Sequence, residues 1–172
     1  YLFYRTDHHW TSLGAYYGAN AVLDAMGLES LDISAFAPTV VSGDFYGTAW
    51  SSAGAPDVPP DTMERYVSDD GVTVTSWFDD APEPGKLYWE ENLAKKDKYS
   101  YFLGGNQPLC VIRSERASTD EKLLVIRDSY CDEMAPFLSE RFAEIHLFDL
   151  RYNRMSAAQY VRENDIGTRL TE

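Results

Sequence analysis

The strongest constraint on the fold is an unbroken apolar run, residues 123–126, which leads directly into Arg-Asp-Ser-Tyr at residues 127–130. Apolar residues without alternation are typical of a strand that is buried on both faces of a parallel sheet. A helix over residues 132–142, a strand over 145–150 and a helix over 156–164 are predicted to follow. This order is that of a right-handed βαβ arrangement. The sequence therefore predicts an α/β fold with a parallel sheet flanked by helices.

A cluster of polar residues lies at the start of the chain. Residues 1–4 predict a short aromatic strand, and Arg-Thr-Asp-His-His-Trp follows at residues 5–10. Thr11 or Ser12 can cap the helix predicted next, and Gly27 supplies its C-terminal stop. The cluster is thus expected in a loop between the end of a strand and the start of a helix, where function concentrates in α/β folds.

The middle of the chain is less regular. Residues 29–70 are rich in Gly, Pro, Ser and Asp and predict a long excursion outside the core of the sheet. The remaining predictions are strands over residues 72–75, 99–103 and 109–112, a short helix or turn over 90–98, and a Gly-Gly-Asn turn at 104–106.

Length and charge limit the class of protein. With 172 residues, the chain is expected to form one domain over residues 1–172. Its formal net charge of −13 repels phosphate backbones and anionic lipid, so neither nucleic acid nor a membrane surface is an expected partner. No run approaches the roughly 20 apolar residues of a membrane helix. The chain begins at Tyr1, inside a predicted strand, and we expect it to be a piece of a longer protein.

The two cysteines, Cys110 and Cys131, make neither a disulfide framework nor a zinc site. One bridge between them is open as an alternative, but two unpaired buried thiols are predicted. No cofactor is expected.

Ser129 stands directly after the buried strand and before a helix. This position exposes a hydroxyl at the carboxyl edge of the sheet, as in the nucleophile elbow of hydrolases. A serine there can also be a simple helix cap, which is the commoner role for a lone serine. Asp7 and His9 favour the catalytic interpretation, because a serine nucleophile needs a base and the base needs an acceptor that holds its tautomer. His8 is the alternative base, and His146, inside an apolar strand, is predicted to be structural.

The segment 4–11, which contains Asp-His-His-Trp, resembles the signature of the bacterial DHHW proteins. These proteins are similar to the SGNH-like alginate O-acetyltransferases, whose corresponding motif is Asp-x-His-Trp. The resemblance covers most of the chain and continues in order through residues 45–48, 97–99, 104–106, 124–130 and 149–152.

The resemblance implies an SGNH hydrolase-like (flavodoxin-like) domain, the C-terminal part of a longer DHHW-type protein, with a sheet that is incomplete at its N-terminus. It implies a triad in which Asp7 is the acid, His9 the base and Ser129 the nucleophile. The expected oxyanion donors are the Ser129 N–H and the turn at Gly105 and Asn106. The candidate substrate contacts are His8, Trp10, Arg151 and Tyr152.

The implied activity is that of an O-acyltransferase or esterase on extracellular polysaccharide, with an acyl-enzyme on Ser129. A carbohydrate substrate, a membrane-bound acyl-donor protein and an extracytoplasmic location follow from the same resemblance. Two other functions stay open. In a non-catalytic carbohydrate-binding domain, Ser129 would be a cap and His9 structural. In a metal-dependent phosphoesterase, Asp-His-His would open a manganese motif, but that motif needs further ligands, and the sole other histidine is His146.

Overall fold

The computed structural model describes residues 1–54, 57–79 and 81–171. The α-helices are α1 (Ser12–Ala25), α2 (Thr48–Ala53), α3 (Cys131–Leu138) and α4 (Ala157–Glu163). The strands are β1 (Thr39–Phe45), β2 (Asp61–Arg65), β3 (Val72–Trp77), β4 (Glu83–Gly85), β5 (Leu109–Ser114), β6 (Lys122–Ile126), β7 (Glu144–Phe148) and β8 (Thr168–Thr171). Short 3₁₀ helices span Ile33–Ala35, Glu90–Ala94 and Lys98–Tyr101. The fold is mixed α/β.

The main sheet has six strands in the order β4-β3-β5-β7-β6-β8. Strand β6 is parallel to both of its neighbours, β7 and β8. The pairings of β3 with β4, β3 with β5 and β5 with β7 are antiparallel. The prediction of a parallel sheet is therefore correct for three strands and wrong for the other three. The connection between β3 and β4 is too short for the crossover that a parallel pair needs.

Burial on both faces explains the unbroken apolar run in β6. Leu123 and Val125 belong to one core cluster, and Leu124 belongs to a second cluster. Helices α1 and α3 supply side chains to the first cluster, whereas Tyr160 and Val161 of α4 supply the second. The order of strand, helix, strand and helix over the last third of the chain is thus confirmed, with helices on both faces.

The first residues do not join the sheet, and the predicted strand over 1–4 is wrong. Phe3 instead forms an isolated antiparallel bridge with Trp10. The N–H of Tyr4 donates to the carbonyl of His9 at 3.1 Å, so the segment folds back on its own loop. The polar cluster still leads into α1, whose N-cap is Thr11.

The predicted strand over residues 99–103 is also wrong. Its first part is the 3₁₀ helix Lys98–Tyr101, and only Phe102 makes a β-bridge, with Tyr88. The reason lies in burial, because Tyr99, Tyr101 and Phe102 all enter the first core cluster instead of alternating between two faces.

The excursion at residues 29–70 lies outside the six-stranded sheet, as predicted, and β1 and β2 pair there as a separate antiparallel ribbon. Ala55 and Pro56 of this segment lie outside the described residues. Asp61 at the start of β2 is fully buried and accepts from the Thr6 N–H at 2.8 Å and the Thr6 hydroxyl at 2.6 Å. The ribbon therefore supports the loop over residues 5–10, which carries Asp7 and His9 and is called the polar loop below.

Both cysteines are buried and no disulfide joins them, as predicted. Burial raises the pKa of Cys110 to about 12, so its thiol stays protonated at neutral pH. None of the helices in the described part of the chain has the length and apolar character that crossing a bilayer requires.

A buried carboxyl group lies between α1 and α3. The Oε1 atom of Glu133 is 3.0 Å from the Tyr4 hydroxyl and 2.6 Å from the Ser12 hydroxyl, which also lies 2.5 Å from the Glu64 carbonyl oxygen. Ser12 has one proton, and a carbonyl oxygen only accepts. A protonated Glu133 satisfies the set, because it donates to Ser12 while Ser12 donates to Glu64. Burial raises the pKa of Glu133 to about 8, in agreement with this arrangement.

Replacing Glu133 by Gln tests this assignment. A carboxyl whose pKa is raised by folding stabilises the protein below the ordinary glutamate pKa, and that stability is lost as the pH rises through the folded-state pKa of about 8. Glu133→Gln keeps a donor for Ser12 but does not ionise. We therefore expect its Tm relative to wild type to increase between about pH 5 and about pH 9. Thermal melts check this, with exposed Glu115→Gln as control; a pH-independent difference for Glu133→Gln would contradict it.

Candidate active site

Asp7 is buried in the polar loop and has its charge satisfied by hydrogen bonds. Its Oδ2 accepts from the Thr48 N–H at 2.7 Å and the Thr48 hydroxyl at 3.0 Å, at the start of α2. Its Oδ1 accepts from the His9 N–H at 3.0 Å. Burial acts to raise the pKa of Asp7, but the hydrogen bonds from His9 and Thr48 outweigh it and hold the pKa well below the usual range. Asp7 therefore stays ionised.

Gly47 lets the chain approach this carboxylate closely. A Cβ atom at position 47 would lie 2.2 Å from Asp7 Oδ2 and 2.3 Å from Asp7 Cβ. Gly47 has φ −90°, so close approach, and not backbone conformation, requires glycine here. Its N–H donates to the Thr6 hydroxyl at 3.2 Å. The ribbon and α2 thus form one wall around Asp7.

His9 connects the acid to the serine. Its Nδ1 lies 2.5 Å from Asp7 Oδ1, and its Nε2 lies 2.8 Å from Ser129 Oγ. Because an ionised carboxylate only accepts, the Nδ1 atom carries the ring proton and Nε2 is free to accept from the Ser129 hydroxyl. This is the tautomer that a general base for serine needs.

Ser129 lies between the end of β6 and the start of α3. The N-cap residue of α3 is Tyr130, and its side chain makes no capping hydrogen bond. The Ser129 hydroxyl therefore contacts His9 and does not serve as the helix cap considered from the sequence. Ser129 is half-buried and therefore partly accessible to solvent.

Tyr99, for which the sequence predicted no role, contacts both His9 and Ser129. Its ring stacks on the His9 imidazole with centroids 3.6 Å apart and an interplanar angle of 6°. Its hydroxyl donates to the Ser129 carbonyl at 3.0 Å. The only signal in the sequence was its place in segment 97–99, which carried the family resemblance but no chemistry.

Two predicted substrate contacts lie beside these residues. The Trp10 indole N–H donates to the Tyr130 carbonyl at 3.0 Å. This bond holds the segment 127–130 that carries Ser129, called the serine loop below, against the polar loop. His8 is exposed, and its Nδ1 lies 2.7 Å from Thr48 Oγ1. The hydroxyl of Ser129 is thus paired with His9, while His8 is paired with Thr48.

The other predicted site residues form a cluster at the ends of β5 and β7. Arg151 pairs with Asp149 at 2.7 Å and donates to Asn106 Oδ1 at 3.2 Å. The exposed Tyr152 lies beneath the Arg151 guanidinium. The Gly105 N–H, an expected oxyanion donor, already donates to the Phe102 carbonyl at 3.3 Å. Arg151 thus donates to Asp149 and Asn106, and the Gly105 N–H donates to Phe102. Neither of these donors is bonded to Ser129.

The Asp-His-His sequence also brings together side chains that could bind a metal ion. Within the described residues, the one group that could hold an ion is Asp7, His8 and His9, whose ligand atoms lie within 4.8 Å of one another. The proton shared by Asp7 and His9 would have to leave before an ion could bind there. His146 is buried, with Nδ1 2.7 Å from the Tyr160 hydroxyl and Nε2 2.7 Å from Glu144, as expected for a structural histidine.

Comparison with known proteins identifies the family. The model of the DHHW protein family matches residues 1–148, and the chain belongs to this family. The fold is similar to the crystal structure of a DHHW family protein from Eubacterium siraeum, with a TM-score of 0.82 and 28% identity over 99% of this chain and 58% of that one. No curated protein sequence matches the chain.

Two structures of Bacillus cereus PatB1 have a similar fold. The first, which carries a sulfonyl adduct, gives a TM-score of 0.80 and 21% identity, covering 99% of this chain and 59% of PatB1. The second gives 0.80 and 20%, covering 99% and 61%. The chain therefore spans about three-fifths of each of these solved structures.

The close approach at Gly47 generates a prediction. Gly47→Ala should displace the Asp7 carboxylate and disturb the hydrogen bonds that run from Asp7 through His9 to Ser129. We expect the rate at which Ser129 reacts with a fluorophosphonate probe to fall by about 10- to 100-fold. Gly43→Ala is the matched control, since a Cβ atom at position 43 meets nothing within 4 Å. Probe kinetics measure both. Equal labelling rates in Gly47→Ala and Gly43→Ala would contradict the inference that the close approach at Gly47 positions Asp7.

Proposed function

We propose that this chain carries the catalytic centre of a serine-dependent O-acyltransferase or esterase, with Asp7 as acid, His9 as base and Ser129 as nucleophile. One observation carries the proposal: the hydrogen-bonded series from Asp7 Oδ1 through His9 Nδ1 and Nε2 to Ser129 Oγ, with distances of 2.5 and 2.8 Å. Both distances are within reach for proton transfer. The fully hydrogen-bonded Asp7 supports the same roles, because an ionised acid stabilises the imidazolium that forms on His9.

In the first half of the reaction, His9 Nε2 takes the Ser129 proton while Oγ attacks the carbonyl carbon of an ester. The tetrahedral intermediate collapses as the ester C–O bond breaks, and His9 returns its proton to the leaving alcohol. The acyl group is then bonded to Ser129 Oγ. In the second half, a sugar hydroxyl or water gives its proton to His9 and attacks the acyl carbon. The bond to Oγ breaks, and the proton returns to Ser129.

The negative charge of the tetrahedral intermediate needs hydrogen-bond donors. The Ser129 N–H is one proposed donor. Because the Gly105 N–H is already bonded to Phe102, the turn can best contribute through the side-chain amide of Asn106. Arg151 orients that amide by donating to its oxygen, which leaves the amide nitrogen as the donor.

The family resemblance supports the finer parts of the proposal. An SGNH-like domain related to alginate O-acetyltransferases, a polysaccharide substrate, a membrane-bound acyl donor and an extracytoplasmic location are all proposed on that ground. The sulfonyl adduct of PatB1 adds support, because sulfonyl electrophiles form adducts with activated nucleophiles and PatB1 shares this fold. His8, Trp10, Arg151 and Tyr152 remain the proposed substrate contacts.

The test is fluorophosphonate labelling followed by peptide mass spectrometry. Wild type should be modified on Ser129, and His9→Ala should lose the modification because Oγ then lacks its base. His8→Ala is the matched comparison, since it removes the neighbouring imidazole, which is paired with Thr48; it should keep most of the labelling.

Loss of labelling in His8→Ala with retention in His9→Ala would transfer the role of base to His8. An unlabelled Ser129 in folded wild type would contradict the enzyme proposal. Non-catalytic sugar binding would then be the function to test.

A further inference from the structure

We propose that Tyr99 is a positioning residue that orients His9 and Ser129 together and favours the protonated state of His9 during catalysis. This inference rests on the proposed function and adds a residue to it. Tyr99 belongs to the 3₁₀ helix Lys98–Tyr101 and is almost fully buried. It comes from neither of the two segments that supply Asp7, His9 and Ser129.

The stack with Tyr99 fixes the plane of the base. The two rings are nearly parallel, at 6°, with centroids 3.6 Å apart. The other rings near His9 are tilted: His8 lies at 3.9 Å and 38°, and Tyr130 at 5.1 Å and 55°. The hydrogen bond to Asp7 anchors one ring nitrogen, and the flat contact with Tyr99 prevents rotation out of the plane. Together they keep Nε2 directed at Ser129 Oγ.

The Tyr99 hydroxyl fixes the other partner. It donates to the Ser129 carbonyl at 3.0 Å, so one rigid side chain spans the base and the backbone of the nucleophile. Burial raises the pKa of Tyr99 well above its ordinary value. The phenol therefore remains a neutral hydrogen-bond donor at neutral pH.

The stack also has an electrostatic consequence. His9 becomes a cation when it takes the Ser129 proton, and the face of an aromatic ring attracts a cation. Three further titratable side chains face the His9 ring: Asp7 and His8 from the polar loop, and Tyr130 from the serine loop. Asp7 favours the same protonated state. The effect of Tyr99 on His9 can therefore be separated from that of Asp7 by changing the charge distribution of the Tyr99 ring while the neighbouring side chains stay the same.

The experiment measures kcat/KM for p-nitrophenyl acetate hydrolysis against pH. Tyr99→Phe keeps the stack and loses the hydroxyl; we expect a rate about 3- to 10-fold lower and an unchanged midpoint of the rising limb. Pentafluorophenylalanine at position 99 keeps the shape of Phe but reverses the charge distribution of the ring. We expect it to lower the midpoint by about half a pH unit relative to Tyr99→Phe.

Matched controls use Tyr101, a fully buried tyrosine of the same 3₁₀ helix that stacks on Tyr88. Tyr101→Phe and pentafluorophenylalanine at position 101 should leave both the rate and the midpoint at their wild-type values. Equal midpoints for the two position-99 variants would overturn the electrostatic part of the inference. A wild-type rate in Tyr99→Phe, or equal losses at positions 99 and 101, would overturn the positioning part.

Failure of the proposed function gives a different result. In that case wild type and Ser129→Ala would hydrolyse the ester at the same rate, and both proposals would fall together. Activity that requires Ser129 but does not respond at position 99 would overturn the role of Tyr99 alone.

Discussion

The hydrogen bond between Asp7 and His9 is the interaction on which the arrangement of the site depends. It determines which ring nitrogen carries the proton, and therefore which nitrogen faces Ser129. Asp7 can make this bond while buried only because Thr48, 41 residues further along the chain, donates twice to its other oxygen. Gly47 allows that approach. The ribbon of β1 and β2 and the short helix α2 therefore help to stabilise the buried charge of Asp7.

The contact between His9 and Ser129 joins residues 120 positions apart and depends on packing between distant elements. Ser129 is placed by β6, which is parallel to its neighbours β7 and β8 and buried on both faces. His9 is placed by the loop that enters α1, and α1 packs on α3 in the first core cluster. The Trp10–Tyr130 hydrogen bond and the buried carboxyl of Glu133 join the same two segments. Changes at the α1–α3 interface should therefore affect chemistry as well as stability.

The sequence predicted best those features that depend on residues close to one another in the chain. The unbroken apolar run of β6 and the order of the elements after it were predictable, because burial on both faces leaves a direct pattern. The antiparallel half of the sheet was not, because strand direction depends on long-range pairing. Tyr99 was missed for a similar reason: its sequence context predicts the start of a strand, and only the folded chain brings its ring against His9. The turn at Gly105 and Asn106 was predicted to donate to the oxyanion, and the sequence does not show that the Gly105 N–H is bonded to the Phe102 carbonyl.

In the proposed reaction, Ser129 carries the acyl group between donor and acceptor. The most direct measurement is rapid acid quenching of the protein during turnover of p-nitrophenyl acetate, followed by peptide mass spectrometry. We expect the peptide containing Ser129 to gain the mass of one acetyl group, and this acetylated protein to form faster than it decays. Continued turnover with Ser129 unmodified, or with the acetyl group on another residue, would contradict it.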